Sequence, residues 1–144
     1  MNLPHNALVL VADGRKMLLL RNDGNPAQPS LRVEAHDTHI AAADRYLKTD
    51  AAGQASSSPV GGNAQETDYH QQVEDRFTAQ VAALLNKKAL ESDFDALVVA
   101  APPHVLGELR KLYHKETQSR LTGEIAKDLT GHPVPRIEQA LALA

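Results

Sequence analysis

Cysteine is absent from the 144 residues, which excludes disulfides, thiolate zinc sites and cysteine nucleophiles and fits a reducing compartment. Tryptophan is absent as well, and the only aromatic side chains besides histidine are two phenylalanines and three tyrosines. A base-stacking platform of the kind used to read single-stranded RNA therefore has almost no raw material. Neither sign of charge dominates: 15 lysines and arginines against 18 acidic residues give a formal net charge of −3, without the basic balance of a nucleic-acid binder. No DNA partner is expected. Long apolar runs are missing too, since none approaches the roughly 20 residues that span a bilayer. The N-terminal apolar run has no basic segment before it and no small-residue cleavage site after it, so it reads as a strand and not a signal. A cytoplasmic protein that binds no membrane is the expectation.

What is present is the signature of one α/β domain over residues 1–144, long enough to bury about two thirds of its unfolded surface. The stretch from Asp95 to Glu116 organises it. Ala96 to Ala101 is too short for an independent helix and is stopped by Pro102-Pro103, so it predicts a strand buried on both faces, central in the sheet. Val105, Leu109, Leu112 and Tyr113 then recur at helical spacing. A strand passing directly into an amphipathic helix is half of a βαβ unit, and ligands in open α/β sheets sit just past such strand ends. Pro102 to Gly107 would line that groove.

Upstream, apolar runs at Ala7–Ala12 and Met17–Leu20 flank Asp13-Gly14, a hairpin turn signal. Leu31, Val33 and Ala35 alternate with Arg32 and Glu34, which predicts a third strand near the sheet edge. A loop over Asn22 to Ser30 joins it to the hairpin. Ile40 to Leu47 has the pattern of a turn or two of helix, and a Gly/Ser-rich stretch at about 48–66 reads as a flexible loop. A long helix is predicted from about Asp68 to Ala89, with Val73, Phe77, Val81, Leu84 and Leu85 as its apolar stripe and Asp68 with Gln71 as a capping box. Arg120 to Thr130 reads as a further strand. A closing helix begins at Pro135, with Ile137, Ala140, Leu141 and Ala144 on one face. The sum is a mixed sheet of about five strands with helices packed on it.

The ordered set VADGRKMLLLR at Val11–Arg21, the helix around Arg76-Phe77-Thr78, LVVAAPPHVLGELRKLYHK at Leu97–Lys115 and EIAKDLTGHP at Glu124–Pro133 resembles the bacterial host attachment protein family, described as required for attachment to host cells. That family is distantly similar to the middle domain of class-one translation release factors. The resemblance implies a ribonuclease H-like mixed sheet and an association with the ribosome or RNA through phosphate contacts, with protein partners also open. The release-factor domain carries a Gly-Gly-Gln loop ahead of its long helix. Here the corresponding loop holds Gly53-Gln54 and Gly61-Gly62-Asn63, so Gln54 and Asn63 are the amide candidates for a water-positioning or binding role, and the intact motif is missing.

Other candidate groups follow from residue chemistry. His104, beside a helix N-terminus that exposes amide donors, forms with Arg110 and Lys127 a candidate anion site. Against that stands the plainer reading that His104 faces water and Arg110 pairs with a carboxylate. Asp13 and Asp128 are carboxylates of the kind that ribonuclease H-like nucleases cluster around magnesium, or more simply a turn former and an ion-pair or amide partner. His36, Asp37, His39 and His70 offer metal-ligand chemistry, more simply surface side chains at loop ends, and no metal or other cofactor is expected. Arg110, Lys111, Lys115, Arg120 and Lys127 form the best basic cluster, diluted by Glu108, Glu116 and Glu124. Gly107, inside a helix, reads as a point of close backbone approach. With no catalytic set assembled, the sequence favours a binding or adaptor domain. A release-factor-type hydrolase and a directly host-binding surface protein are the alternatives.

Overall fold

The computed structural model describes residues 1–37 and 62–144. In chain order these form β1 (Leu8–Ala12), β2 (Met17–Asn22), β3 (Leu31–Asp37), α1 (Gly62–Leu90), β4 (Leu97–Ala100), α2 (Pro103–Leu112), α3 (Lys115–Arg120), β5 (Leu121–Ile125) and α4 (Val134–Leu143). The strands make one mixed sheet in the order β3-β2-β1-β4-β5. The hairpin pairs β1 with β2, and β2 with β3, antiparallel, whereas β4 runs parallel to both β1 and β5. The expected α/β fold with a mixed five-stranded sheet and an N-terminal hairpin is therefore present. The expected middle position of the Pro-Pro strand is corrected: β1 holds it. Its run Leu8–Ala12 is apolar on both faces and has a partner on each side, while β4 lies between β1 and β5.

Alternation along the strands divides the core in two. Leu8, Leu10, Leu97 and Val99 point to one face and meet Val73, Phe77, Val81 and Leu85 of α1 and Val105, Leu106 and Leu109 of α2. Val9, Val11, Val98 and Ala100 point to the other and meet Ile137 and Leu141 of α4 and Leu3 of the N-terminal segment. Asn22, fully buried at the end of β2, holds that segment. Its amide donates to the Leu3 and Pro4 carbonyls at 2.8 and 3.1 Å, and its carbonyl oxygen accepts from the Gly24 and Ser30 amides at 2.9 Å each. All four hydrogen-bonding positions of the side chain are thus in use, and the Asn22–Ser30 loop closes on itself.

Several boundaries differ from the sequence reading. Helix α1 begins at Gly62, so residues 62–66 of the expected loop are helical and Asp68 lies inside the helix, where it is no N-cap. Ala64, Gln65 and Glu66 are good helix formers with no proline among them. The expected helix at Ile40–Leu47 and the rest of the Gly/Ser-rich loop lie outside the described residues. Strand β5 stops at Ile125, because Asp128 turns the chain, and α3 precedes it unforeseen. In α2 the third buried apolar residue is Leu106, while Leu112 is 42% exposed. Ala144 is exposed as well. A Cβ on Gly107 would meet nothing within 4 Å, so no backbone approaches it and the close-contact explanation fails.

Candidate functional site at the carboxyl edge of the parallel strands

Because β1, β4 and β5 run parallel, the segments after Ala12, Ala100 and Ile125 emerge on one edge of the sheet. Asp13 ends β1 in a turn that Gly14, at φ +92°, completes without a Cβ penalty. The Asp13 carboxylate accepts the Arg15 and Lys16 amides through Oδ1 at 2.8 and 2.9 Å. Its second oxygen, Oδ2, accepts the Thr130 hydroxyl at 3.2 Å. Past β5, Asp128 Oδ1 accepts the Thr130 amide at 2.9 Å and also contacts the Thr130 hydroxyl. Leu129, 5% exposed, anchors the loop between them. The two carboxylates singled out in the sequence thus converge on one hydroxyl, whose single proton serves both.

His104 sits in the first turn of α2 just beyond Pro102-Pro103. Its Nε2 accepts from the Gln71 amide at 2.9 Å, and the same amide donates to Asp75 Oδ1 at 2.8 Å. Asp75 lies 3.8 Å from the ring. This trio fastens α1 to α2 across the rim of the edge. On its other flank Arg15 of the hairpin reaches Glu74 and His70 of α1, each at 3.4 Å. Beneath lies a narrow crevice lined by Ala12, Phe77, Val81, Val105 and Leu109, too tight for a water molecule.

Arg110 does not join His104. Its guanidinium makes a forked contact with Glu124 of β5, with Nη2–Oε1 at 2.9 Å and Nε 3.1 Å from both carboxylate oxygens, and Glu124 raises its pKa. Lys111 pairs with Glu108 and Arg120 with Glu116. The basic cluster of the sequence reading is thus largely neutralised, and the anion site as first composed is not assembled. Gln54 and His39 lie outside the described residues. Asn63 is the second residue of α1. Among the described residues no group of three or more histidines or carboxylates is placed to hold a metal ion.

Lys127 belongs to a different surface. It leaves the end of β5 beside His132 and Arg136, and together they rim an open groove of about 380 Å³ floored by Ile125, Leu129 and Ala140, with the exposed Leu143 at its margin. His132 and Arg136 escaped the sequence reading. Their only signal was the Gly131-His132-Pro133 helix start with Arg136 one turn on.

Comparison with known proteins adds two findings. The model of a family named bacterial archaeo-eukaryotic release factor family 12 matches residues 6–141. No curated protein matches the chain.

Proposed function

The chain belongs to bacterial archaeo-eukaryotic release factor family 12, and from that premise we propose that it is a ribosome-associated binding or adaptor domain rather than a hydrolase. Family membership supports the general part, a role related to translation. The observation that carries the finer part is the engagement of the carboxyl edge. Asp13 and Asp128 are held by Thr130 and by turn amides, His104 by Gln71, and Arg110 by Glu124. A general base needs a lone pair directed at a substrate proton, and a metal that activates water needs several carboxylates at once. These side chains make hydrogen bonds that join β1, α1, α2 and β5. On this reading the attachment phenotype carried by the resembling family's name lies downstream of the binding event.

Recovery of the tagged chain from its own cells, at low and moderate salt and with or without ribonuclease, tests the proposal. Ribosomal proteins and RNA should co-purify at low salt and fall away with salt or nuclease, since phosphate contacts weaken steeply with ionic strength. Protein partners alone, unchanged by nuclease, would contradict the ribosomal part.

A further inference from the structure

The groove between the end of β5 and α4 combines two properties that call for a partner with both. Its floor is aliphatic, and Leu143 on its margin is 83% exposed. Its rim carries Lys127, His132 and Arg136, whose side chains have no ion-pair or hydrogen-bond partner among the described residues, in contrast to the paired Arg110, Lys111 and Arg120. Lys and Arg side chains left unpaired beside apolar surface are available to anions. Helix α4 adds to the field: its N-terminus follows Pro133 with no side-chain cap, so the positive end of its dipole lies next to His132 and Arg136.

The nearby carboxylates make no ion pair with Lys127, His132 or Arg136 among the described residues. Asp128 Oδ1 accepts the Thr130 amide, and Glu138 Oε2 accepts the Leu31 amide at 2.8 Å, across the sheet on β3. At the far end the Met1 ammonium donates to the Ala144 oxygen at 3.0 Å.

We propose that this groove docks a short acidic peptide segment whose carboxylates pair with Lys127, His132 and Arg136 while its aliphatic side chains cover Leu129, Ala140 and Leu143. An open groove suits an extended peptide better than a small ligand, which needs most of its surface enclosed. No phenylalanine, tyrosine or tryptophan is among its lining residues, so the large rings on which nucleobases stack best are missing there. The proposal goes beyond the translational reading and does not depend on it.

The test uses the purified full chain and a fluorescent pool of nonapeptides in which Asp or Glu alternates with Leu, Ile or Val. Competitors are a matched pool with Lys in the acidic positions and a single-stranded RNA nonamer of mixed sequence. The acidic pool should bind with anisotropy that falls as salt rises. Lys127→Ala and Arg136→Ala should each weaken it about two- to fivefold, the scale of an exposed ion pair, and Leu143→Ser should weaken it about tenfold through lost apolar contact. All three positions are on the surface, and circular dichroism checks that the variants keep the fold. Neither competitor should displace the pool. Absence of binding by the acidic pool, displacement by the RNA, or unchanged binding by Arg136→Ala and Leu143→Ser together would overturn the proposal. Since no ribosome is present, the result is independent of the pull-down described above.

Discussion

Asp13 Oδ2 accepts a hydrogen bond from Thr130 Oγ1 at 3.2 Å, across 117 residues of chain. This contact closes the β1–β2 turn onto the loop after β5, and it is where the two outer parallel strands meet at the edge that α/β folds use for ligands. The single hydroxyl proton also serves Asp128. Thr130→Val keeps the shape and leaves two carboxylates facing each other without it. Stability should fall by about 0.5–1.5 kcal/mol, the net value of an intramolecular hydrogen bond, since Asp128 is exposed and both carboxylates keep their amide donors. Thr130→Ser should recover most of the loss in urea titration, and equal loss for both variants would show that the methyl group, not the hydroxyl, matters.

A second prediction concerns the opposite end of the sheet. Arg21, 6% exposed, donates to both Glu34 oxygens at 3.1 and 3.0 Å, to the Asn6 and Asp93 carbonyls at 3.1 and 2.8 Å, and to the Asp93 carboxylate at 2.7 Å. Burial disfavours its charge, but Glu34 and Asp93 offset this and leave its pKa raised. Arg21→Ala removes the common partner of three segments and should cost about 3 kcal/mol, at the lower end for a broken buried pair because the carboxylates keep some solvent.

The same cluster sets a pH dependence. The Arg21 hydrogen bond holds the Asp93 carboxyl below its ordinary 3.8, and Lys88 adds to the effect. The unfolded chain therefore binds this proton more readily than the folded one. The contribution is fully present above the ordinary carboxylate range and is lost as pH falls through the lower folded value. Asp93→Asn should flatten the stability profile on the acidic side of pH 4 while leaving the slope above pH 5 unchanged. An identical acid limb in the two proteins would remove Asp93 from the account.

Tyr113 yields a prediction in the opposite direction. It is 7% exposed at the end of α2, and its hydroxyl is buried with no hydrogen-bond partner among the described residues. Burial, with the nearby Glu124 charge, pushes its pKa well above the usual phenol range. Tyr113→Phe deletes an unsatisfied polar atom and keeps the ring in the core, so thermal denaturation should show unchanged stability or a gain of about 1 kcal/mol. A loss of more than about 1 kcal/mol would mean that the hydroxyl has a partner.

How far the sequence reveals this molecule depends on the range over which each feature is encoded. The Asp13-Gly14 turn, the Pro102-Pro103 strand exit and the apolar runs of β1 and β4 are local chemistry, and they are legible with their boundaries nearly right. Helix α3 is not, because Lys115–Arg120 has no apolar stripe: its one buried residue is Thr117, whose hydroxyl donates to Asn86 of α1 at 2.6 Å. At the candidate edge Asp13 and Asp128 were each visible, but their meeting through Thr130 depends on two parallel strands being paired through a third. The grouping of Lys127 with His132 and Arg136 depends likewise on α4 docking against the far face through Ile137 and Leu141. The neutralisation of Arg110 by Glu124 is equally non-local, and without it the basic cluster looks like a nucleic-acid face.

Sedimentation of the purified chain with purified 70S ribosomes through a sucrose cushion, over a range of salt, tests the central claim most directly. A ribosome-associated binding domain should pellet with ribosomes at low salt in near-stoichiometric amount, release no peptide from peptidyl-tRNA, and return to the supernatant as salt rises. A chain that stays in the supernatant at every salt concentration, or that releases peptide, would contradict the account.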